Sequence, residues 1–222
     1  MPRASWKPRA DYDLRVPIDL NLYLEHTQGR SLVEVLLRGH LWVEQHLVAL
    51  LETELKRPEA LNLDRMAFAQ KVNLADALGM VTPDDAGTLR ILNGMRNRLA
   101  HDLTGQPTEE DVARLESSVS ESQRGLANKL LPLMAQAPGL PEARLCRRLS
   151  AVLLALLTEM EQHRQRHAYW REHRSAMEGY RTMVAIMENL GATPETEEEY
   201  RKALSIPEPP TPADAITTTQ GQ

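Results

Sequence analysis

The chain has 222 residues, 42% of them hydrophobic and 26% charged, with a formal net charge of −5. That balance is globular, the length allows one ordinary domain with appendages or at most two small domains, and a global basic field for nucleic acid is excluded. Aromatic residues are only 4%, with a single Phe at Phe68, so the core must be built from Leu, Val, Ala and Met, which suits packed helices better than sheets.

Residues 1–18 hold Pro2, Pro8 and Pro17 among mixed charges and read as an irregular arm. No apolar run follows the basic start, so it does not read as a secretory signal, and the expected location is cytoplasmic. Residues 19–135 read as the core of an all-α bundle. Its first helix spans about 31–55, where Leu36, Val43, Leu47 and Leu50 follow a three-four spacing. Val33, Leu37, Leu41, Val48 and Leu55 widen that stripe enough to face more than one neighbour. A second helix covers roughly 64–78, and Gly79 is placed to end it in the left-handed conformation. A third begins at Thr82-Pro83-Asp84-Asp85, with Thr82 as cap, Pro83 at the first helical position and two acids at the positive end of the dipole. It carries Leu89, Leu92, Met95, Leu99 and Leu103 inward, and Gly105 and Pro107 close it.

Thr108-Glu109-Glu110-Asp111 opens a fourth helix that is expected to run to about Met134, with Ser117, Ser118, Ser120 and Ser122 at the surface. Ala137-Pro138-Gly139-Leu140-Pro141 is a break. The segment 136–192 then reads as a long C-terminal helix or a helical hairpin packed on the core, its helical pattern running from Glu142 to about Leu190, apolar from Leu145 to Leu157 and charged beyond. It carries the only cysteine, Cys146, so no intrachain disulfide forms, which fits a reducing compartment. Residues 193–222 hold prolines and the run Glu197-Glu198-Glu199 and read as an acidic, Pro-rich, largely disordered tail, with room for one short helix after Pro194. No apolar run approaches the length of a membrane span.

The chemically pointed segment is Arg96-Asn97-Arg98-Leu99-Ala100-His101-Asp102. Cleaving RNA without a metal needs a group to take the 2′-hydroxyl proton and a cation to hold the phosphate. An imidazole, with an unperturbed pKa of about 6.5, suits the first task, and the donor fork of a guanidinium suits the second. His101 and Arg96 are that pair. Asn97 is four residues before His101, on the same helix face, where it can fix the imidazole tautomer. Arg96 lies five before His101, about 140° round an ideal helix. One chain offers one of each, and a symmetric dimer offers two. The chemistry calls for no metal and no cofactor.

The string Met95-Arg96-Asn97-Arg98-Leu99-Ala100-His101-Asp102 resembles the Arg-Asn-x-x-Ala-His signature of the HEPN superfamily. The stretch from Arg38 to Leu47 is similar to the family's first long helix, and the stretch from Phe68 to Gly79 is similar to the segment before the signature in the mannitol operon repressor branch. The likeness spans roughly residues 30–104. It implies a helical bundle that pairs as a homodimer. In many members the Arg and His form a metal-independent ribonuclease site, sometimes within a toxin or defence system with a cognate antitoxin. In others, including the mannitol-repressor branch, the fold acts in regulation or binding.

Other residues have two readings each. Glu44 lies on the apolar stripe of the first helix, either at its edge or paired with Arg96 to hold the guanidinium. Asp102 adjoins His101 as a supporting acid. His40 and His46 face differently and read as packing residues. His163 and His167 are four apart, a spacing that can bind zinc, but nothing nearby completes a site and they read as solvated. The stretch His163 to Arg174 sets Arg164, Arg166, Arg171 and Arg174 around Tyr169 and Trp170. It reads either as a nucleic-acid patch or as a solvated face balanced by other helices. The function expected is RNA cleavage or RNA binding at a dimeric Arg96/His101 site, against a non-catalytic regulator or a helical adaptor.

Overall fold

The computed structural model describes residues 18–28, 30–101, 105–134, 142–191, 193, 196–211 and 216–217. Among them are eight α-helices and one two-residue pair of parallel strands, so the fold is all-α. No helix among the described residues is long and apolar enough to cross a membrane.

A short strand, β1 (Ile18–Asp19), leads into α1 (Leu20–Thr27), whose first turn is capped by the Asp19 carboxylate accepting from the Leu22 N–H at 3.1 Å. Local pattern does not announce α1, because Leu20, Leu22 and Leu24 alternate. Tertiary contacts hold it instead. The fully buried Tyr23 donates its hydroxyl to the Ser150 carbonyl at 2.7 Å and meets Trp42 edge-on at 5.5 Å.

The next helix, α2 (Leu32–Glu54), opens with a reciprocal capping box between Ser31 and Glu34. Leu36, Val43, Leu47 and Leu50 are fully buried, as the spacing predicts. Leu37 and Leu41 are instead 39% exposed, so the stripe is narrower than it looks on paper. Residues 58–60 and 63–65 form 3-10 turns, and α3 (Phe68–Ala77) therefore starts later than its apolar pattern suggests. It ends at Gly79 with φ +69, and Met80 N–H reaches back to the Ala75 carbonyl at 2.9 Å.

Thr82 and Asp85 exchange capping bonds at 3.1 and 3.3 Å to start α4 (Pro83–His101) where the sequence places it. Leu89, Leu92 and Met95 point inward and Leu99 is half-buried; Leu103 lies outside the described residues. The expected fourth helix is two, α5 (Glu109–Ser118) and α6 (Glu121–Leu130). The cause is a second capping box. Ser120 N–H donates to Gln123 Oε1 at 2.8 Å and Gln123 N–H returns to Ser120 Oγ at 3.1 Å, which restarts the helix after the buried Val119.

The longest element is α7 (Ala143–Asn189), 47 residues and about 70 Å at 1.5 Å per residue. Its first half, Leu149 to Leu157, is buried and packs chiefly on α2. The two helices approach closely at Gly39. A Cβ there would stand 2.3 Å from Leu153 Cδ1. The tail is not without structure where it is described. The cap of α8 (Glu197–Ala203) is Thr196 with Glu199, and Tyr200 packs on Tyr180 of α7 at 5.1 Å. Pro207 accepts a hydrogen bond from Tyr169 at 2.8 Å, and β2 (Ile216–Thr217) pairs in parallel with β1. Tyr169 and Tyr180 supply the α7 surface for these contacts, which composition alone does not reveal. Residues 1–17, the expected arm, lie outside the described residues.

Gly39→Val should destabilise the fold by about 3 kcal/mol, the upper end of ordinary overpacking. Leu153→Ala in the same chain should recover part of that loss by making room. Urea midpoints of the two variants and the parent check this.

Candidate functional site

The last two turns of α4 carry Arg96, Asn97, Arg98 and His101. Arg96 and His101 are both exposed, and Asn97 is half-buried. Asn97 does not orient the imidazole as its spacing suggests. Its side-chain carbonyl accepts from Arg96 Nη1 at 3.3 Å. Among the described residues the His101 side chain makes no hydrogen bond. Arg98 is engaged by Asp111, across the gap to α5. Asp102 lies outside the described residues.

The expected pairing of Glu44 with Arg96 is not formed. Glu44 accepts from Lys71 Nζ at 2.6 Å, and its other oxygen is 3.9 Å from His40 Nδ1. Lys71 is the residue that the sequence reading missed, at 2% exposure among the buried Phe68, Val72 and Ala75 of α3. The signal was present. Lys71 falls three after Phe68 and four before Ala75, on the inward stripe, where an ammonium must meet a carboxylate.

His40 completes this layer. Its ring packs on Phe68 at 4.4 Å between centroids, and its Nε2 is buried without a hydrogen-bond partner among the described residues. Burial pushes its pKa down to about 4; Glu44 opposes this, while the charges of Arg96 and Lys71 add to it. His46 is also held down by burial, with its Nδ1 2.9 Å from the Trp42 carbonyl. Both histidines are the packing residues that their spacing implied, and Trp42 is buried with them while Met66 is half-buried against the core.

The layer beneath α4 thus contains a neutral imidazole and a closed Lys71–Glu44 pair. Among the described residues no carboxylate lies within 4 Å of Arg96, which faces solvent with its charge uncancelled. A guanidinium in that state has donors that an anion can accept from.

The basic stretch of α7 divides. Arg164 is bidentate to the fully buried Glu161, at 2.7 and 2.6 Å, and is not offered to a ligand. Arg171 donates to the Thr53 carbonyl at the end of α2. Arg166 and Arg174 are exposed. Tyr169 is buried, whereas Trp170 is 37% exposed. His163 lies 3.3 Å from the Met80 carbonyl and 4.0 Å from Glu159, and His167 lies 3.7 Å from Glu54. Among the described residues no group of three His, Cys, Asp or Glu side chains is arranged to hold a metal. Cys146 is buried, its thiol pushed up to about 11 by burial and by Glu142, so it is not a nucleophile at neutral pH. A cleft of about 180 Å³ between α5, α6 and α7 includes Arg148, which is already held by Glu116 at 2.8 and 2.5 Å.

No family model matches the chain, and neither does any curated protein or solved structure.

His40 stays neutral in the fold but takes a proton in the unfolded chain below its ordinary value of 6.5. Unfolding therefore binds protons between about pH 6.5 and about 4, and stability falls as pH drops through that window. His46, shifted the same way, adds to the slope. The urea midpoint should fall from pH 7 to pH 5, and His40→Leu should narrow the difference.

Proposed function

We propose that this chain is a HEPN-like protein that cleaves or binds RNA, without a metal, at a site formed by Arg96 and His101 from two copies. The observation that carries the reading is the pairing pattern on α4. Its neighbour Arg98 is neutralised by Asp111, and the carboxylate nearest in pattern, Glu44, is taken by Lys71, so of the α4 arginines Arg96 is the one without a carboxylate partner among the described residues, near an exposed imidazole. His101 handles the proton of the attacking 2′-hydroxyl, and Arg96 stabilises charge on the phosphate. Asn97, bonded to Arg96, limits the swing of the guanidinium.

Support for pairing comes from α2. Leu37 and Leu41, each 39% exposed, bracket His40, which lies within electrostatic reach of Arg96. An apolar pair on the rim of a half-built site suits a second copy of the chain. A toxin or defence role with a cognate antitoxin belongs to the same reading.

A second reading is a non-catalytic regulator resembling the mannitol operon repressor. The observation in its favour is the imidazole of His101, which no described side chain orients. A regulator needs the fold and the anion contact but no proton transfer.

Purified protein incubated with RNA separates the two. The nuclease reading expects cleavage that survives EDTA, leaves a 2′,3′-cyclic phosphate and fails on a substrate with 2′-deoxyribose at the scissile position. His101→Ala should lose about 10²-fold or more in rate, and Arg96→Lys should also lose activity because a point charge cannot reproduce the fork. Both variants should keep the dimer in light scattering. If wild type cuts no RNA while His101→Ala binds RNA as wild type does, the regulator reading stands.

A further inference from the structure

The cations of the 163–174 stretch are not equivalent. Arg164 is neutralised by Glu161, and Arg171 staples α7 to the carbonyl of Thr53. Arg166 and Arg174 remain, both exposed and, among the described residues, without an ion pair within 4 Å. Glu159, seven residues before Arg166, feels its charge, but its side chain is hydrogen-bonded to Gln123 and lies 4.0 Å from His163. Trp170 sits midway between the two arginines. Steps of four residues place Arg166, Trp170 and Arg174 along one helix face, the outer two about 12 Å apart along the axis. Glu172, the one acid in the stretch, lies about 160° round the helix from Trp170.

Trp170 is also held. Tyr169 meets it edge-on, with centroids 5.2 Å apart and planes at 84°. Tyr169 in turn is buried, donates its hydroxyl to Pro207 and packs on His173 at 4.7 Å. The tail therefore occupies the Tyr169 side of α7, about 100° from Trp170, and leaves the Arg166–Trp170–Arg174 face open. The face presents an exposed indole with a guanidinium one turn to either side that has no ion pair among the described residues. It matches a chain of alternating flat rings and phosphates, provided the rings are unstacked and can reach the indole, which a duplex does not allow.

We propose that the Arg166–Trp170–Arg174 face is a contact platform for single-stranded RNA, with Trp170 stacked on a base and the two guanidiniums on the flanking phosphates. The single-stranded polynucleotide follows from the face itself; RNA rather than DNA rests on the reading of Arg96 and His101 given above. The platform is separate from those residues and holds RNA whether or not it is cut.

The test titrates the full chain with an oligouridylate while reading tryptophan fluorescence. The expected result is quenching that disappears in Trp170→Phe, which isolates this ring from Trp6 and Trp42. By a separate anisotropy readout, Trp170→Ala should weaken binding about tenfold. Arg166→Ala and Arg174→Ala should each weaken binding and each flatten the dependence of log affinity on log salt by about 0.7. Arg96→Ala/His101→Ala should retain the quenching, so loss of cleavage alone counts only against the first site. Loss of quenching with cleavage intact counts only against the platform. Affinity unchanged in Trp170→Ala, or equal affinity for polyglutamate, anionic vesicles or duplex RNA, overturns the proposal. Tighter binding of oligothymidylate than of oligouridylate overturns the choice of RNA.

Discussion

The contact between Gly39 and Leu153 is the constraint on which the arrangement depends. With no side chain at position 39, α2 comes close enough to α7 for a Leu153 methyl to occupy the space a Cβ would fill. That approach seals the mostly aliphatic run from Leu149 to Leu157 against Leu36, Val43, Leu47 and Leu50, every one of them buried. In a chain with one Phe and few other aromatics, dense aliphatic contact at short separation is the available route to a core. Once one face of α2 is committed to α7, another side receives α3 and α4, and this brings His40 and Glu44 beside Lys71 and within reach of Arg96.

The charge pattern follows from that packing. Lys71 is nearly inaccessible and Glu44 is one quarter exposed, so the ammonium has lost most of its hydration and the carboxylate must supply the compensation. A neutral His40 against the same carboxylate leaves the pair balanced. The positive charge that remains on this side of the molecule belongs to Arg96, on the solvent side of α4. Several other guanidiniums are paired: Arg148 with Glu116 and Glu109, Arg90 with Asp76, Arg98 with Asp111. On α4 the arginine without a carboxylate partner among the described residues is Arg96.

Elements governed by local chemistry were legible in the sequence. Thr82-Pro83-Asp84-Asp85 starts α4 where its caps demand, Gly79 ends α3 in the left-handed region, and the break-free stretch after Pro141 is one helix to Asn189. Elements governed by tertiary contact were not. Nothing in Leu20 to Thr27 signals a helix until Tyr23 has Ser150 and Trp42 to meet. The break at Val119 was written in Ser120 and Gln123, but a polar surface helix masks a capping box inside it. The candidate residues Arg96 and His101 stood out by their types and order. Their partners did not, because a carboxylate such as Glu44 has several cations in helical register, and only the depth of Lys71 decides among them. The same holds for Arg164 and Arg171, equal to their neighbours in sequence and set apart by Glu161 and Thr53.

The length of α7 has a mechanical consequence. Beyond Arg171, which the Thr53 carbonyl of α2 holds, the helix runs 18 residues further to Asn189, an arm of about 27 Å. Such an arm multiplies angle into distance: a tilt of about 5° at its base moves its tip by roughly 2 Å. The tail acts as a stay on this lever, gripping it at Tyr180 and Tyr169 and returning to β1 beside the base. Torque applied at the far end is thereby delivered both to the fulcrum under α2 and, through the stay, to the first residues of the described chain.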